Sequence, residues 1–305
     1  MHKAMIVVLA LILDRMLGEP RRAHPLVAFG NLAEHVENRL RAADNVQNRT
    51  RGVIAVAILL IPLTAGAAAL AALPDIGPVA SVMLLYLALG ARSLQQHAVR
   101  VRTALVAADL KTARSAVACL VSRDTGNMTA IDVARAAVES VLENGNDAIF
   151  GALFWFVVAG APGAVAYRVA NTLDAMWGYR TQRYERFGWA AARLDDLFNF
   201  LPARLTALTY AFTGQLGSAV ACWRRQGWRW AGSNAGTVMA AGGGALRVRL
   251  GGGALYHGRW RRRPALGLGA APRPRDVDRA LALVGRGIVL WVGIIGIAGL
   301  ARAYA

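Results

Sequence analysis

Val53 to Leu73 runs for 21 residues without a charged side chain, and about 20 apolar residues suffice for a helix to cross the hydrocarbon core of a bilayer. Pro74-Asp75-Ile76-Gly77-Pro78 then reads as a tight turn and Val79 to Ala91 as the returning arm of a hairpin. No Lys or Arg occurs from Gly52 to Ala91, whereas residues 14–51 and 92–147 each hold seven. Both flanks are therefore expected on the cytoplasmic side, with Asp75 facing outward.

The rest of the chain agrees with a membrane setting. Hydrophobic residues make up 56% and charged residues 17% of 305, and the mean hydropathy is +0.37, too apolar for an ordinary soluble domain. The net charge of +17 would suggest nucleic acid in a soluble protein. Here cytoplasmic Arg-rich loops explain it, and no nucleic-acid partner is expected. Cys119 and Cys222 stand far apart without a CxxC, which argues against a structural zinc site or a disulfide framework.

Gly287 to Leu300 is a third span, entered from a helix starting near Asp276. Three stretches are ambiguous. Residues 5–13 are short, a retained anchor or an interfacial helix. Residues 148–170 are long enough to span but are interrupted by Gly160-Ala161-Pro162-Gly163. Residues 201–222 carry Pro202, Arg204 and Gln215 and suit burial against protein. Arg92 to Ser122 reads as an amphipathic helix pair. The expected fold is all-α: one polytopic membrane domain over residues 1–305, with transmembrane and re-entrant or membrane-embedded helices and long cytoplasmic helical loops.

Candidate chemistry gathers in two blocks. If the segment from Ile131 is helical, Glu139, Glu143 and Asp147 share one face, and such a stripe needs cations, metal or a positive substrate opposite it. Asn144-Gly145-Asn146 is expected to break that helix. The second block, residues 171–199, holds Asn171, Asp174, Arg180, Arg183, Tyr184, Arg193, Asp195 and Asp196. One crossing by residues 148–170 would place the blocks on opposite faces. A segment that dips in and returns at the Gly-Pro-Gly break keeps them together, and irregular backbone is tolerated at membrane depth where it lines a protein-walled cavity.

The carboxylates and amides suit Mg²⁺, which takes oxygen ligands and prefers one or two carboxylates plus substrate phosphate. Arg123, Arg180, Arg183 and Arg193 suit phosphate or carboxylate. An internal salt-bridge network is the competing reading. Asp14, Glu19 and His24 could bind metal or phosphate, or Asp14 and Arg15 could cap or pair at a membrane edge. Gly242-Gly243-Gly244 and Gly251-Gly252-Gly253 offer amides for anions, or mark flexible loops or close packing. No Walker A, GxGxxG, Gly-x-Ser-x-Gly or His-Glu-x-x-His motif occurs.

Five segments occur in one order: Leu13-Asp14-Arg15-Met16-Leu17-Gly18-Glu19-Pro20 with His24-Pro25; Arg123-Asp124-Thr125; Glu139-Ser140-Val141-Leu142-Glu143-Asn144; Asn171-Thr172-Leu173-Asp174-Ala175-Met176-Trp177-Gly178-Tyr179-Arg180; and Phe187-Gly188-Trp189-Ala190-Ala191-Ala192-Arg193-Leu194-Asp195-Asp196. From Leu13 to Val284 the chain resembles the CobD/CbiB family of cobalamin biosynthesis. The resemblance implies a multi-pass enzyme of the bacterial inner membrane with its active site facing the cytoplasm. Such an enzyme joins a carboxylate of adenosylcobyric acid to 1-amino-2-propanol or its O-phosphate as an amide, with ATP as co-substrate and Mg²⁺.

On that reading Glu139, Glu143, Asn144 and Asp174 are the candidate catalytic residues and Glu143, Asp147 and Asp174 the metal ligands. Asp14, His24, Arg123, Asp124, Asn171, Arg180, Arg183, Tyr184, Arg193, Asp195, Asp196 and Asn234 would bind substrate. The bilayer, a second copy and other corrinoid enzymes are the candidate partners. Three positions differ from the usual pattern. Trp230-Ala231-Gly232-Ser233-Asn234-Ala235-Gly236 stands for His-Pro-Ser-Pro-Asn-Ala-Gly, Met239 for a following Glu, and Gly151-Ala152-Leu153-Phe154 for Ala-Pro-Leu-Phe. A non-catalytic regulatory or sensor protein on the same scaffold is the alternative that these differences support. A transporter fits less well, since the spans are few.

Overall fold

The computed structural model describes residues 3–19, 25–41, 47–256 and 258–304. His24, one of the expected substrate-binding residues, lies outside them. The chain divides into two compact units, residues 1–90, 147–200 and 295–305, and residues 91–146 and 201–294. Among the described residues, four helical stretches are long and apolar enough to cross a membrane, Asn48–Ala71, Gly77–Val106, Ala130–Trp177 and Pro274–Ala301. The protein is thus a polytopic membrane protein of mainly α-helical build.

The first unit contains α1 (Lys3–Leu17), α2 (Pro25–Leu40), α3 (Asn48–Ala71), α4 (Gly77–Ala88), α8 (Gly151–Trp177) and the start of α9 (Trp189–Thr213). The uncharged stretch forms α3 and returns through residues 72–76 into α4. With 12 residues, α4 reaches only about 18 Å. It ends at Leu89, whose ψ of 156° leaves the helix, so the returning arm is shorter than the sequence suggests. A core of Phe29, Leu59, Leu173, Trp177 and Phe187 ties α2, α3 and α8 to the segment before α9, with the Trp177 and Phe187 rings edge to face at 5.1 Å.

The Gly-Pro-Gly interruption turns the chain back on itself. Gly160 has φ 68° and ψ −159°, a backbone shape open to glycine and strained for other residues. Gly151 packs against the Tyr167 ring and Gly163 against the Trp155 carbonyl, pairs that one straight helix would hold about 24 and about 12 Å apart. The apolar stretch is a helical hairpin with its apex at Gly160.

The second unit holds α5 (Ala91–Val106), α6 (Leu110–Ala118), α7 (Ala130–Gly145), the remainder of α9, α10 (Leu216–Gln226), α11 (Ser233–Leu246) and most of α12 (Pro274–Tyr304). Thr129 and Asp132 start α7 with a reciprocal capping box, satisfying two amides that a helix start leaves open. The expected break at Asn144-Gly145-Asn146 does not occur. The helix passes into one π-helical turn, Asn146–Phe150. Tyr210 donates its hydroxyl to the Leu142 carbonyl at 2.9 Å, and that hydroxyl lies where a Cβ on residue 145 would stand. Glycine there admits the tyrosine that serves this carbonyl, and a π-turn inside an α-helix is frequently a functional feature.

Three further features come from the structure. Residues 171–199 are mostly helical, as the end of α8 and the start of α9. Gly242, Gly243 and Gly244 lie inside α11 and let it approach Leu142, the Gly267 backbone and Ser218, so they serve packing and not anions. The second unit also contains short strands: β1 (Arg249–Gly251) pairs antiparallel with β4 (Ala265–Gly267), and β2 (Ala254–Tyr256) with β3 (Arg259–Arg261). Two residues separate β1 from β2 and three separate β3 from β4. The ribbon therefore carries a one-residue bulge, a device that re-aims side chains.

Candidate functional site

In the second unit the polar centre is Glu139, 3% exposed. Its Oε2 receives Arg123 Nη2 at 2.6 Å and Arg263 Nη1 at 3.2 Å, and its Oε1 accepts the Gly251 amide at 2.7 Å. Arg263 sits in the bulge, where its Nε donates to the Gly252 carbonyl at 2.9 Å. The neighbouring Asp124 accepts the Gly258 amide at 2.8 Å, and its own amide donates to the Leu255 carbonyl. The Arg123-Asp124-Thr125 segment is thus clamped to the ribbon. A cavity of about 280 Å³ opens beside it, lined by Arg123, Asp124, Asp132, Arg135, Trp260 and Arg263 among others. The carboxylate stripe finds cations at Glu139, and they are the protein's own arginines.

Glu143 and Asn144 lie one turn further along α7, both half-buried. Asn144 donates to the carbonyl and hydroxyl of Ser140, each at 3.0 Å. Asn234 opens α11 and accepts Arg204 Nη1 at 2.8 Å. Met239, in place of the glutamate usual in the resembling family, is buried in α11.

In the first unit a chain of polar groups runs between the hairpin and α9. Asp195 Oδ1 accepts from Asn171 at 3.2 Å and from Asn199 at 3.0 Å, and Asn199 accepts the Tyr167 hydroxyl at 2.9 Å. Burial is the main influence on Asp195 and raises its pKa above the ordinary carboxylate value, against the lowering pull of the two amides. Glu19 and Asp147 act electrostatically on Arg168, whose Nε is buried without a hydrogen-bond partner among the described residues. Asp14 is buried on α1, and with Glu19 it acts on Tyr86, whose hydroxyl donates to the Gly18 carbonyl at 2.7 Å. Electrostatic links through Tyr86, Glu19, Arg168 and Tyr167 thus run from Asp14 to Asp147 and Asp195, and Asn171 joins at Asp195. Asp174 is half-buried on the same arm of the hairpin.

The other expected residues of this unit lie elsewhere. Arg183 and Tyr184 are held by buried Glu37, at 2.7 Å from Nη2 and 3.3 Å from the hydroxyl. Burial first and then Glu37 raise the Tyr184 pKa. Arg180 is exposed, and Arg193 and Asp196 form a 3.8 Å pair on the surface. Among the described residues no three His, Cys, Asp or Glu side chains gather to hold a metal.

Sequence reasoning passed over Arg168, Arg263 and Asn199. Arg168 had a signal, as the one charge between Ala148 and Leu173, since an ionisable residue inside an apolar segment is a functional candidate by default. Arg263 is one of three consecutive arginines, and only the bulge singles it out.

A family model described as CobD/Cbib protein matches residues 7–284. A relative from Stutzerimonas stutzeri (strain A1501), "Cobalamin biosynthesis protein CobD", is 57% identical over 289 residues, 95% of each chain. A relative of that name from Chromobacterium violaceum is 56% identical over 299 residues, 96% of each chain. One from Mycobacterium tuberculosis (strain ATCC 25618 / H37Rv) is 39% identical over 288 residues, 92% of this chain and 91% of the other. No solved structure matches.

Proposed function

The chain belongs to the CobD/CbiB family of cobalamin biosynthesis proteins, and from that premise we propose that it is a membrane-bound amide ligase acting on a corrinoid. Its substrates are adenosylcobyric acid, ATP, and 1-amino-2-propanol or its O-phosphate, and it works at the cytoplasmic face of the bacterial inner membrane. The observation that carries this reading is the family match along residues 7–284, which spans all five motif segments.

A carboxylate does not accept an amine until one of its oxygens is a leaving group. Transfer of a phosphoryl or adenylyl group from ATP to the carboxylate supplies one. The amine nitrogen then attacks the carbonyl carbon, the C–O bond breaks with release of phosphate or AMP, and the nitrogen loses a proton to a base. We assign that base to Glu143 or Asp174, half-buried carboxylates within motif segments.

Mg²⁺ takes hard oxygen ligands, and one or two carboxylates suffice beside substrate phosphates. Asp147 and Asp174, which share the first unit, are the residues that would hold it. Bound there, the ion would offset charge on the transferring group. Asn171 and Asp195 position the corrinoid or the amine through the network that includes Tyr167 and Asn199. Asp14, Arg180, Arg193, Asp196 and Asn234 are kept as substrate contacts.

Complementation tests the proposal. Expression in a strain lacking cobinamide-phosphate synthase should restore growth on cobyric acid, and Glu143→Gln and Asp174→Asn should each abolish it. Failure of the wild type, shown to be present in the membrane, would favour a regulatory protein on this scaffold. Full growth of both variants would overturn the assignment of the base.

A further inference from the structure

We propose that the cavity between the end of α9 and α12 holds the headgroup of an anionic phospholipid, with Arg286 and Arg279 on its phosphate and an acyl chain lying along α9 and α12. None of the residues lining this cavity has a part in the ligase chemistry.

Arg286 marks a boundary in the sequence. Arg273, Arg275, Asp276, Asp278, Arg279 and Arg286 are all charged, and residues 287–300 carry no charge. The helix α12 therefore enters the apolar layer just past Arg286. That is the depth at which basic side chains meet lipid phosphates.

A second helix runs beside this entry point. Arg286 Nε donates to the Thr213 carbonyl at 2.9 Å, and Trp291 Nε1 donates to the Thr209 hydroxyl at 2.8 Å. Higher numbers on α12 meet lower numbers on α9, so the two helices are antiparallel. Val289, 73% exposed, stands one turn from Arg286 on the same face of α12. Phe212, 67% exposed, and Leu208 form an apolar stripe on α9. Apolar surface for an acyl chain thus adjoins a fixed cation.

The cavity measures about 310 Å³ and is lined by Thr213, Gln215, Leu246, Arg279 and Arg286 among others, a size at which small-ligand pockets begin. Arg279 Nη2 donates to the Leu246 carbonyl at 2.7 Å, and its Nη1 pairs with Asp276. Each guanidinium is held by a carbonyl at a helix end, of α9 for Arg286 and of α11 for Arg279. Arg286 spends only Nε on that tie. Among the described residues its Nη1 and Nη2 have no partner and no carboxylate pairs with it, so its charge is left for the cavity. Such a fork suits two oxygens of a phosphodiester, and basic pockets between membrane helices are recognised headgroup sites. Capping of α9 accounts for the Thr213 contact and leaves the uncompensated charge and the exposed apolar stripes unexplained.

Native mass spectrometry of the delipidated full chain in detergent tests this with phosphatidylglycerol, phosphatidylethanolamine and inorganic phosphate. The wild type should hold phosphatidylglycerol roughly fivefold more tightly than phosphatidylethanolamine, and Arg286→Gln should erase that preference, the effect of one basic residue at an anionic lipid surface. Phe212→Ser removes an exposed side chain and no capping contact, and it should weaken both lipids. Arg262→Gln, at an exposed arginine of the same unit, should change neither. A wild type without preference, a preference kept in Arg286→Gln, unchanged binding in Phe212→Ser, or an equal loss in Arg262→Gln would each overturn the assignment. Displacement of phosphatidylglycerol by millimolar inorganic phosphate would make this a free-phosphate site and overturn it as well.

Discussion

Glu37 and Glu139 are both buried carboxylates, 2% and 3% exposed, and both are met by two arginines, but their surroundings differ. At Glu37 the partners Arg183 and Arg41 are 48% and 32% exposed in their side chains, and Tyr184 completes the set. At Glu139 the partner side chains are only 6% and 12% exposed, a backbone amide takes the second oxygen, and a cavity adjoins. The first is a latch joining α2 to the segment before α9. The second holds two cations in place where charge is costly. Ion-pair chemistry alone does not separate these roles. Burial of the cations and the adjoining space do.

The comparison breaks first at Glu139. Glu139→Ala leaves two buried guanidiniums uncompensated and should cost about 3–5 kcal/mol, read as a large fall in thermal midpoint of the detergent-solubilised protein. Glu37→Gln should cost less, about 1–2 kcal/mol, because water screens its exposed arginines. Equal losses would mean that the two pairs do the same work.

Asp195 gives a pH test in the first unit. Its pKa is raised in the folded state, chiefly by burial, so the fold holds its proton more tightly than the unfolded chain does. The resulting stabilisation is fully present below about pH 4 and is lost as pH rises through the elevated value. Asp195→Asn should flatten that part of the stability-pH profile. An unchanged slope would contradict the burial argument. The smallest effect is expected at Arg193, where the 3.8 Å pair with Asp196 is exposed. Arg193→Ala should shift stability by less than about 0.5 kcal/mol.

Much of this was legible in the sequence where one physical cause dominates. The uncharged run at Val53 to Leu73 named α3. Gly160 and Pro162 marked the turn of the hairpin because few other residues accept that backbone. The pairing of Arg123 with Glu139 was not legible, since the two belong to different motifs and meet only through α7 and the ribbon. The strands were hidden by Gly251-Gly252-Gly253, which reads as loop and in fact places an amide on Glu139. Gly145 looked like a helix breaker because its role, making room for the Tyr210 hydroxyl, depends on a residue 65 positions away. Arg183 and Tyr184 suited substrate by type, and only the structure brings Glu37 to them.

The most direct measurement is mass spectrometry of the corrinoids after the purified protein in nanodiscs is incubated with adenosylcobyric acid, ATP, Mg²⁺ and 1-amino-2-propanol O-phosphate. The account predicts adenosylcobinamide phosphate, absent when ATP is omitted. Unchanged adenosylcobyric acid in the presence of folded protein and either form of the amine would contradict it.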